Sequence, residues 1–427
     1  MVTRTVSNDS TLTSAFNAST PGDVIELGNG SYSISTGNTY SAPGVTVRPA
    51  SGANPTISSV VCNGASRITF KDLVIIGGLL PEGSISGVAR CIGGSSYIVF
   101  DGCTAKGTPA ATYSGGYTVE FEENTNHCQF NNGVLGLYRI GFIFIGADNV
   151  TFHNNVFLDV GEDAIKGSGD NFSIAYNLFP KKYLGISGTH PDVIQINNSF
   201  NGGYIGYNVM VADGGDAQGI FLGGGPAGQD HSNLTIEHNI VFSQYNNGIV
   251  VKGGLGHTGT GNIIRNNTVG FLRKTGKKAT FIGGFSGATQ SYNVEMRNVT
   301  PGPGLNAGNV LMLEEDTPTS QYGISNYYPG VRRDSGYRLV ASDFAPKPGS
   351  LVDPDTYGAT TYGAHETIAA WIAAGTWPAG AAVIDPDPEP DPDPEPDPNP
   401  TPPQTGKRYL SVGGSPIVVG GPLIVLN

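Results

Sequence analysis

FHNN (152–155), IAYN (174–177), IGYN (205–208), IEHN (236–239) and IRNN (264–267) recur along the chain. Each places a large apolar residue three positions before an asparagine. Those asparagines, Asn155, Asn177, Asn208, Asn239 and Asn267, are 22, 31, 31 and 28 residues apart. Weaker copies lie upstream: ITFKDL (68–73), IVFDGC (98–103) and CQFNNG (128–133). A period of this length, built from short apolar runs without helical spacing, predicts a solenoid of short strands. Each coil would lay three strands around a core and rise about 4.8 Å, the distance between paired strands. An asparagine at one fixed turn would form a ladder, each side-chain amide bonding backbone or the next asparagine.

Composition agrees. There are 63 glycines in 427 residues, and only 14 % of residues are charged. Glycine and asparagine accept positive φ cheaply, which suits many tight turns. The net charge is −12, and residues 385–397 hold seven acids and no base; removing those seven leaves about −5 on the body. A mildly acidic body predicts no nucleic-acid partner, which would need a basic footprint. Cys62, Cys91, Cys103 and Cys128 form no CxxC pair, so buried free thiols are expected rather than a metal site. No apolar run is long enough to span a bilayer. MVTRTVSNDSTL, at the start, lacks the apolar stretch of a secretory signal. That predicts a cytosolic protein or one released by another route, such as virus assembly and lysis.

The first coil is announced by NDSTLTSAFNASTPGDVIELGN (8–29). Ser10 or Asp9 is a candidate N-cap for a short amphipathic helix around Leu12–Phe16, which would cover the open apolar end of the solenoid. Helix, PGD, apolar strand and G-x-Y together resemble the opening of right-handed parallel β-helix proteins of the pectate-lyase-like superfold, over roughly residues 5–300. The resemblance implies an all-β fold, a right-handed single-stranded parallel β-helix with an N-terminal capping helix. It does not imply one function, since lyases, hydrolases, adhesins and phage tailspikes share the fold.

Four segments are expected: a β-helix with its cap (1–300), an irregular extension (301–384), a linker (385–403) and a short β tail (404–427). Within the extension, AHETIAAWIAAG (364–375) reads as a short helix. The linker, DPDPEPDPDPEPDPNPTPP, forbids helix and sheet and would extend about 59 Å at about 3.1 Å per residue. The tail repeats VGGSPIV as VGGPLIV and is too short to bury its own apolar face, so it should do so against another chain.

Candidate chemistry lies on the strand after the asparagine turn. Aligning Val119, Ile165, Ile194, Ile220 and Ile249 as inward aliphatics puts Tyr117, Asp163, Asp192, Gln218 and Asn247 two positions earlier. Glu120, Lys166, Gln195, Phe221 and Val250 then follow by one. VGEDAIKGSGDN (160–171) and HPDVIQI (190–196) thus place Asp163 over Asp192 and Lys166 over Gln195, with Glu162, His190, Asp213 and Asp216 at the margin. Two readings stay open. Asp163, Asp192, Lys166 and Glu162 form a catalytic group, or the two aspartates cap turns by bonding backbone N–H groups. As a site, the carboxylates could act as a glycosidase pair. Alternatively they hold Ca²⁺ while Lys166 abstracts the proton α to a uronate carboxylate. GEDA (161–164) resembles a tetrapeptide of a pectate lyase family with this fold, although no arginine accompanies Lys166 on the aligned strands. Gln195, His190, Asp216, Gln218, Phe221, Asn247 and Glu120 would contact substrate. Phe221, Tyr117, Tyr138 and Tyr204 are candidates for stacking on sugar rings, with core packing as the alternative.

The β-helix, spacer and adhesive tail resemble a phage tailspike or receptor-binding protein. That resemblance implies recognition of host surface polysaccharide, with or without its depolymerisation. It also implies a homotrimer, a place in the virion tail, and contact with other tail proteins through the C-terminal tail. The expected departure from tailspikes is in the anchor, which would be the C-terminal tail rather than a separate domain before the helix. The alternatives are a free polysaccharide lyase or glycoside hydrolase, and a non-catalytic adhesin.

Overall fold

A computed structural model describes residues 1–110, 112–179, 191–211, 217–223, 229–243, 247–251 and 259–271. Beyond these it describes only short segments: 281–283, 289–291, 294–297, 304–306, 309–313, 329, 347–350, 409–412 and 415–418. Contacts divide the chain into Met1–Asp387 and Pro388–Asn427.

The first unit is a parallel β-helix. One sheet has twelve strands, and its inward residues stack in register: Phe70, Phe100, Phe130, Phe152, Ile174, Ile205, Ile236 and Ile264. The phenylalanines follow one another at ring-centroid distances of 5.1, 5.9 and 5.9 Å, so like packs on like up the core. Two further columns of strands complete each coil. They count as one sheet because the long strand Thr56–Asn63 pairs with both Val74–Ile76 and Gly87–Ile92. The coil at the centre of the molecule runs through Thr151–His153, Val156–Phe157 and Ile165–Ser168. Parallel pairing continues to Asn309–Leu313, slightly past the boundary expected at 300.

The asparagine ladder is present. Asn155, Asn177, Asn208, Asn239 and Asn267 are fully buried. Each Oδ1 accepts the backbone N–H of the residue below it, at 2.8–3.1 Å. Each Nδ2 donates to the carbonyl of the inward residue one coil down: Phe130, Phe152, Ile174, Ile205 and Ile236. Below Asn155 the same column holds Gly133, Cys103 and Leu73, which is why the upstream copies of the motif read as weak.

The helix Asp9–Ala18 buries Leu12, Ala15 and Phe16 in the same core cluster. Its N-cap is Asn8, not Ser10 or Asp9. The Asn8 side chain accepts from the Thr11 amide at 3.0 Å and Thr11 Oγ1 accepts from the Asn8 amide at 3.2 Å, a reciprocal capping box. All four cysteines are buried and free. Among the described residues no helix is long and apolar enough to cross a membrane. The expected 364–375 helix lies outside the described residues. In the second unit, Tyr409–Val412 pairs antiparallel with Ser415–Val418.

Candidate functional site

The strand Ile165–Ser168 pairs with Asp192–Ile196, setting Ile165 against Ile194 and Lys166 against Gln195. Gln195 pairs with Phe221, and Phe221 with Val250. In the other direction the expected column needs correction. Val119 is not the neighbour of Ile165: Phe142 lies between them, and Ile143 lies between Glu120 and Lys166. The intervening strand, Ile140–Ile145, is apolar at every position but its one glycine and carries no polar residue to mark its outward side.

The repeated acids point inward. Asp163 and Asp192 are each 1 % exposed. Asp163 Oδ1 accepts the Asp192 amide at 2.9 Å, and its Oδ2 takes the Lys166 ammonium at 3.2 Å. One coil up, Asp192 Oδ2 accepts Gln195 Nε2 at 2.9 Å. Acid, two residues, then a long polar side chain is therefore one device used twice. A buried carboxylate holds the outward side chain three residues later. Asp163 spends one oxygen on a backbone N–H, as the turn-capping reading expects, and the other on Lys166. Lys166 is the member that reaches solvent, with 28 % of its side chain exposed.

Burial pushes the Asp163 carboxyl up to about 6, a cost that Lys166 and the Asp192 amide only partly offset. Asp192 is pushed well above the usual carboxylate range by burial and then by the charge of Asp163. Its Oδ1 is buried with no hydrogen-bond partner. Two adjacent buried acids with one cation between them favour a single ionisation. Asp163 carries the charge against Lys166, and Asp192 holds the proton.

An arginine stands beside this column after all. Arg139 Nε donates to Glu162 Oε2, and the Glu162 amide donates to the Arg139 carbonyl at 2.7 Å. Glu162 raises the Arg139 guanidinium further above its ordinary value. Arg139 precedes its strand by one residue, in the turn, so it falls outside a strand alignment; a lone charge in GVLGLYRIGFIF (133–144) is its only sequence signal. Tyr117 completes the cluster: burial raises its hydroxyl, and Glu120, Arg139, Lys166 and Glu162 all act on it. The glycine of GEDA is explained by packing. A Cβ on Gly161 would lie 1.8 Å from the Tyr113 carbonyl oxygen.

The remaining candidates separate. Glu120 is committed elsewhere, accepting Arg90 Nε at 2.7 Å and the Gly87 amide at 2.9 Å. Gln218 is largely buried, its amide donating to the Pro191 carbonyl at 2.8 Å, and Phe221 is half-buried beside Gln195. Tyr138 is buried, donating to the Gly78 carbonyl at 2.8 Å, and packs in the core. Tyr204 is on the twelve-stranded sheet, away from this column. His190, Asp213 and Asp216 lie outside the described residues, as does the side chain of Asn247. Ca²⁺ asks for six to eight oxygens. Among the described residues no group of three or more His, Cys, Asp or Glu could hold a metal, and both oxygens of Asp163 are engaged. The described residues do not fit the ion.

No protein-family model matches this sequence, and no curated protein matches it. Among solved structures the chain is similar to a PL6 family alginate lyase, at TM-score 0.44 and 13 % identity, covering 84 % of this chain and 57 % of that one. It is similar to a pectate lyase at TM-score 0.41 and 13 % identity, covering 82 % and 88 %. An alginate lyase from Paenibacillus sp. gives 0.39 and 13 %, covering 73 % and 97 %. The chain thus spans little more than half the length of the first. Likeness at this level carries no argument about chemistry, and the parallel β-helix rests on the strand register above.

Proposed function

We propose that this chain binds an acidic polysaccharide along the Lys166–Gln195 column and cleaves it by β-elimination. The observation that carries the reading is the placement of Lys166: a partly exposed lysine whose ammonium is held by a buried carboxylate, with the Arg139 guanidinium and Tyr117 beside it. A uronate carboxylate would sit against Arg139, which stabilises the charge that develops when the α-proton leaves. Lys166, after passing its ammonium proton to the Asp163 carboxylate or to solvent, takes the C5 proton. The C4–O bond breaks, the departing oxygen takes up a proton, and the new end carries a C4=C5 double bond. Asp163 and Asp192 are positioning residues in this scheme, acting through Lys166 and Gln195. A glycosidase pair is less well supported, because neither aspartate reaches the surface.

The test is incubation with alginate and with polygalacturonate, following reducing ends and absorbance in the unsaturated-uronate band. Both signals should rise with wild-type protein and fall by about 10²–10⁴ with Lys166→Ala. Reducing ends without absorbance would mean hydrolysis. Undiminished cleavage by Lys166→Ala would remove Lys166 from the chemistry.

A tailspike-type receptor-binding role, in a homotrimer of the virion tail, is the setting we propose for this activity. It is supported by the Pro/acid spacer and the VGG-aliphatic tail. Light scattering on the same preparation tests it: a monomeric full-length chain would sink the trimer.

A further inference from the structure

The twelve-stranded sheet carries an aromatic cluster that the Lys166 column does not use. Tyr176, Tyr207 and His238 occupy one turn position on successive coils, each just before a ladder asparagine. All three are left-handed, at φ 58, 55 and 54°. Bulky side chains are disfavoured there. On other coils the position goes to residues that tolerate it, among them Asn132, Asn154 and Asn266. The three rings stack face to face, Tyr176 on Tyr207 at 5.0 Å and Tyr207 on His238 at 4.8 Å. Beside them, Tyr204 lies along its own strand. A Cβ on Gly206 would fall 2.3 Å from the Tyr204 hydroxyl, so only glycine leaves room for the ring to lie flat on the sheet. That hydroxyl donates to Glu237 Oε1 at 3.0 Å, and Arg265 Nε donates to Glu237 Oε2 at 2.7 Å. Arg265 keeps 48 % of its side chain exposed.

We infer that this surface is a second glycan-binding site, separate from the Lys166 column. A pyranose ring offers an apolar C–H face and a rim of hydroxyls. Here the flat face of Tyr204, flanked by the edges of the stacked rings, meets the first, and a half-exposed guanidinium paired with a carboxylate meets the second. The strand neighbours of Tyr204 are Ser173 and Thr235. Among the described residues the exposed large hydrophobics Val74, Ile76, Leu79, Ile85 and Ile145 are not on this sheet, and Met1 and Val2 stand beside its far edge strand, Thr3–Val6. An apolar protein partner would want them here; a hydroxyl-rich chain does not. Three coils at about 4.8 Å each give a platform on the order of 10–15 Å, enough for two or three sugar residues.

Electrophoresis of the full chain through gels holding alginate, polygalacturonate or dextran tests this. Wild type should be retarded by at least one polymer. Tyr176→Asn/Tyr207→Asn should weaken that binding roughly tenfold, since stacking contacts of this kind change affinity by that order. Its fold is protected, because asparagine accepts the left-handed turn, and its thermal midpoint checks this. Tyr204→Ala should weaken binding similarly, and neither variant should change cleavage of any polymer. Lys166→Ala should retain the retardation that these variants lose. No retardation of wild type by any polymer, or wild-type binding by the folded Tyr176→Asn/Tyr207→Asn protein, overturns the inference. So does complete loss of retardation in Lys166→Ala, which would place all binding in the other column and leave the elimination reading standing.

Discussion

Two buried polar columns climb this solenoid, and they are built to opposite specifications. In the asparagine ladder Asn177 Oδ1 accepts two N–H groups of Asn155, while its Nδ2 reaches the Phe152 carbonyl and Asn208 Oδ1. Nothing is charged, and every polar atom of the repeating unit has a partner. In the Asp163–Asp192 column two acids share one lysine, and Asp192 Oδ1 has no partner at all. A polar group left unpaired in the interior costs about 1–3 kcal/mol, so such an arrangement persists only where the rest of the fold supports it. The first column is what makes coils stack. The second holds Lys166 and Gln195 outward at the expense of stability.

Breaking the first column should therefore have the largest effect on folding. Asn177→Ala orphans the Asn155 backbone amide and the Phe152 carbonyl, both buried, and takes one of its two acceptors from Asn155 Nδ2. At about 1–3 kcal/mol for each orphaned group, the cost is about 2–6 kcal/mol. Denaturant unfolding should show it, and hydrogen exchange should place the loss in the coils around 155–208. A loss below about 1 kcal/mol would mean the ladder is decoration on an already sufficient core.

That ladder was legible because only asparagine combines an acceptor and a two-proton donor on a stem short enough for the turn, so its recurrence after an apolar residue marks each coil from Asn155 to Asn267. The site was legible only in part. Lys166, Asp192 and Gln195 lie in strands and Asp163 two residues before one, where spacing still translates into stacking. Arg139 sits in a turn, and turn lengths here vary between coils, so nothing in its spacing ties it to Glu162. The coil through Ile140–Ile145 escaped alignment for the complementary reason: with Ile143 outward, it lacks the polar alternation that identifies an exposed face.

The columns should also differ in pH response. Asp163 holds its proton more tightly folded than unfolded, so between about pH 4 and pH 6 the native state binds more protons than the unfolded state. Stability must then fall as pH rises through that window, by about 3 kcal/mol for a shift from 3.8 to about 6. Asp192 extends the fall to higher pH, its carboxyl being raised further by burial. Thermal midpoints measured from pH 4 to pH 7 at constant ionic strength should decline for wild type. They should flatten for Asp163→Asn/Asp192→Asn, which should be the more stable protein at pH 7. Asn177→Ala should retain the decline, since the ladder has nothing to titrate. An unchanged slope in the double asparagine variant would mean that these acids are ionised and solvated in the native protein.

The smallest expected effect draws the edge of the site. Glu120 lies in the same outward column as Lys166, but two coils away, with Ile143 between them. Its carboxylate is spent on Arg90 and the Gly87 amide, and burial raises it above the ordinary range, which means its charge is poorly solvated where it sits. Glutamine keeps one oxygen for Arg90 Nε and the Gly87 amide and removes that charge. Arg90 retains Glu122 at 2.6 Å. The two consequences nearly cancel, so Glu120→Gln should change stability by less than about 1 kcal/mol. It should leave cleavage of alginate and polygalacturonate at the wild-type rate. A substantial drop in turnover would carry the substrate path across Ile143 and make the column one continuous groove from Glu120 to Phe221; an unchanged rate closes it at Tyr117 and Arg139, the nearest polar groups on that side of Lys166.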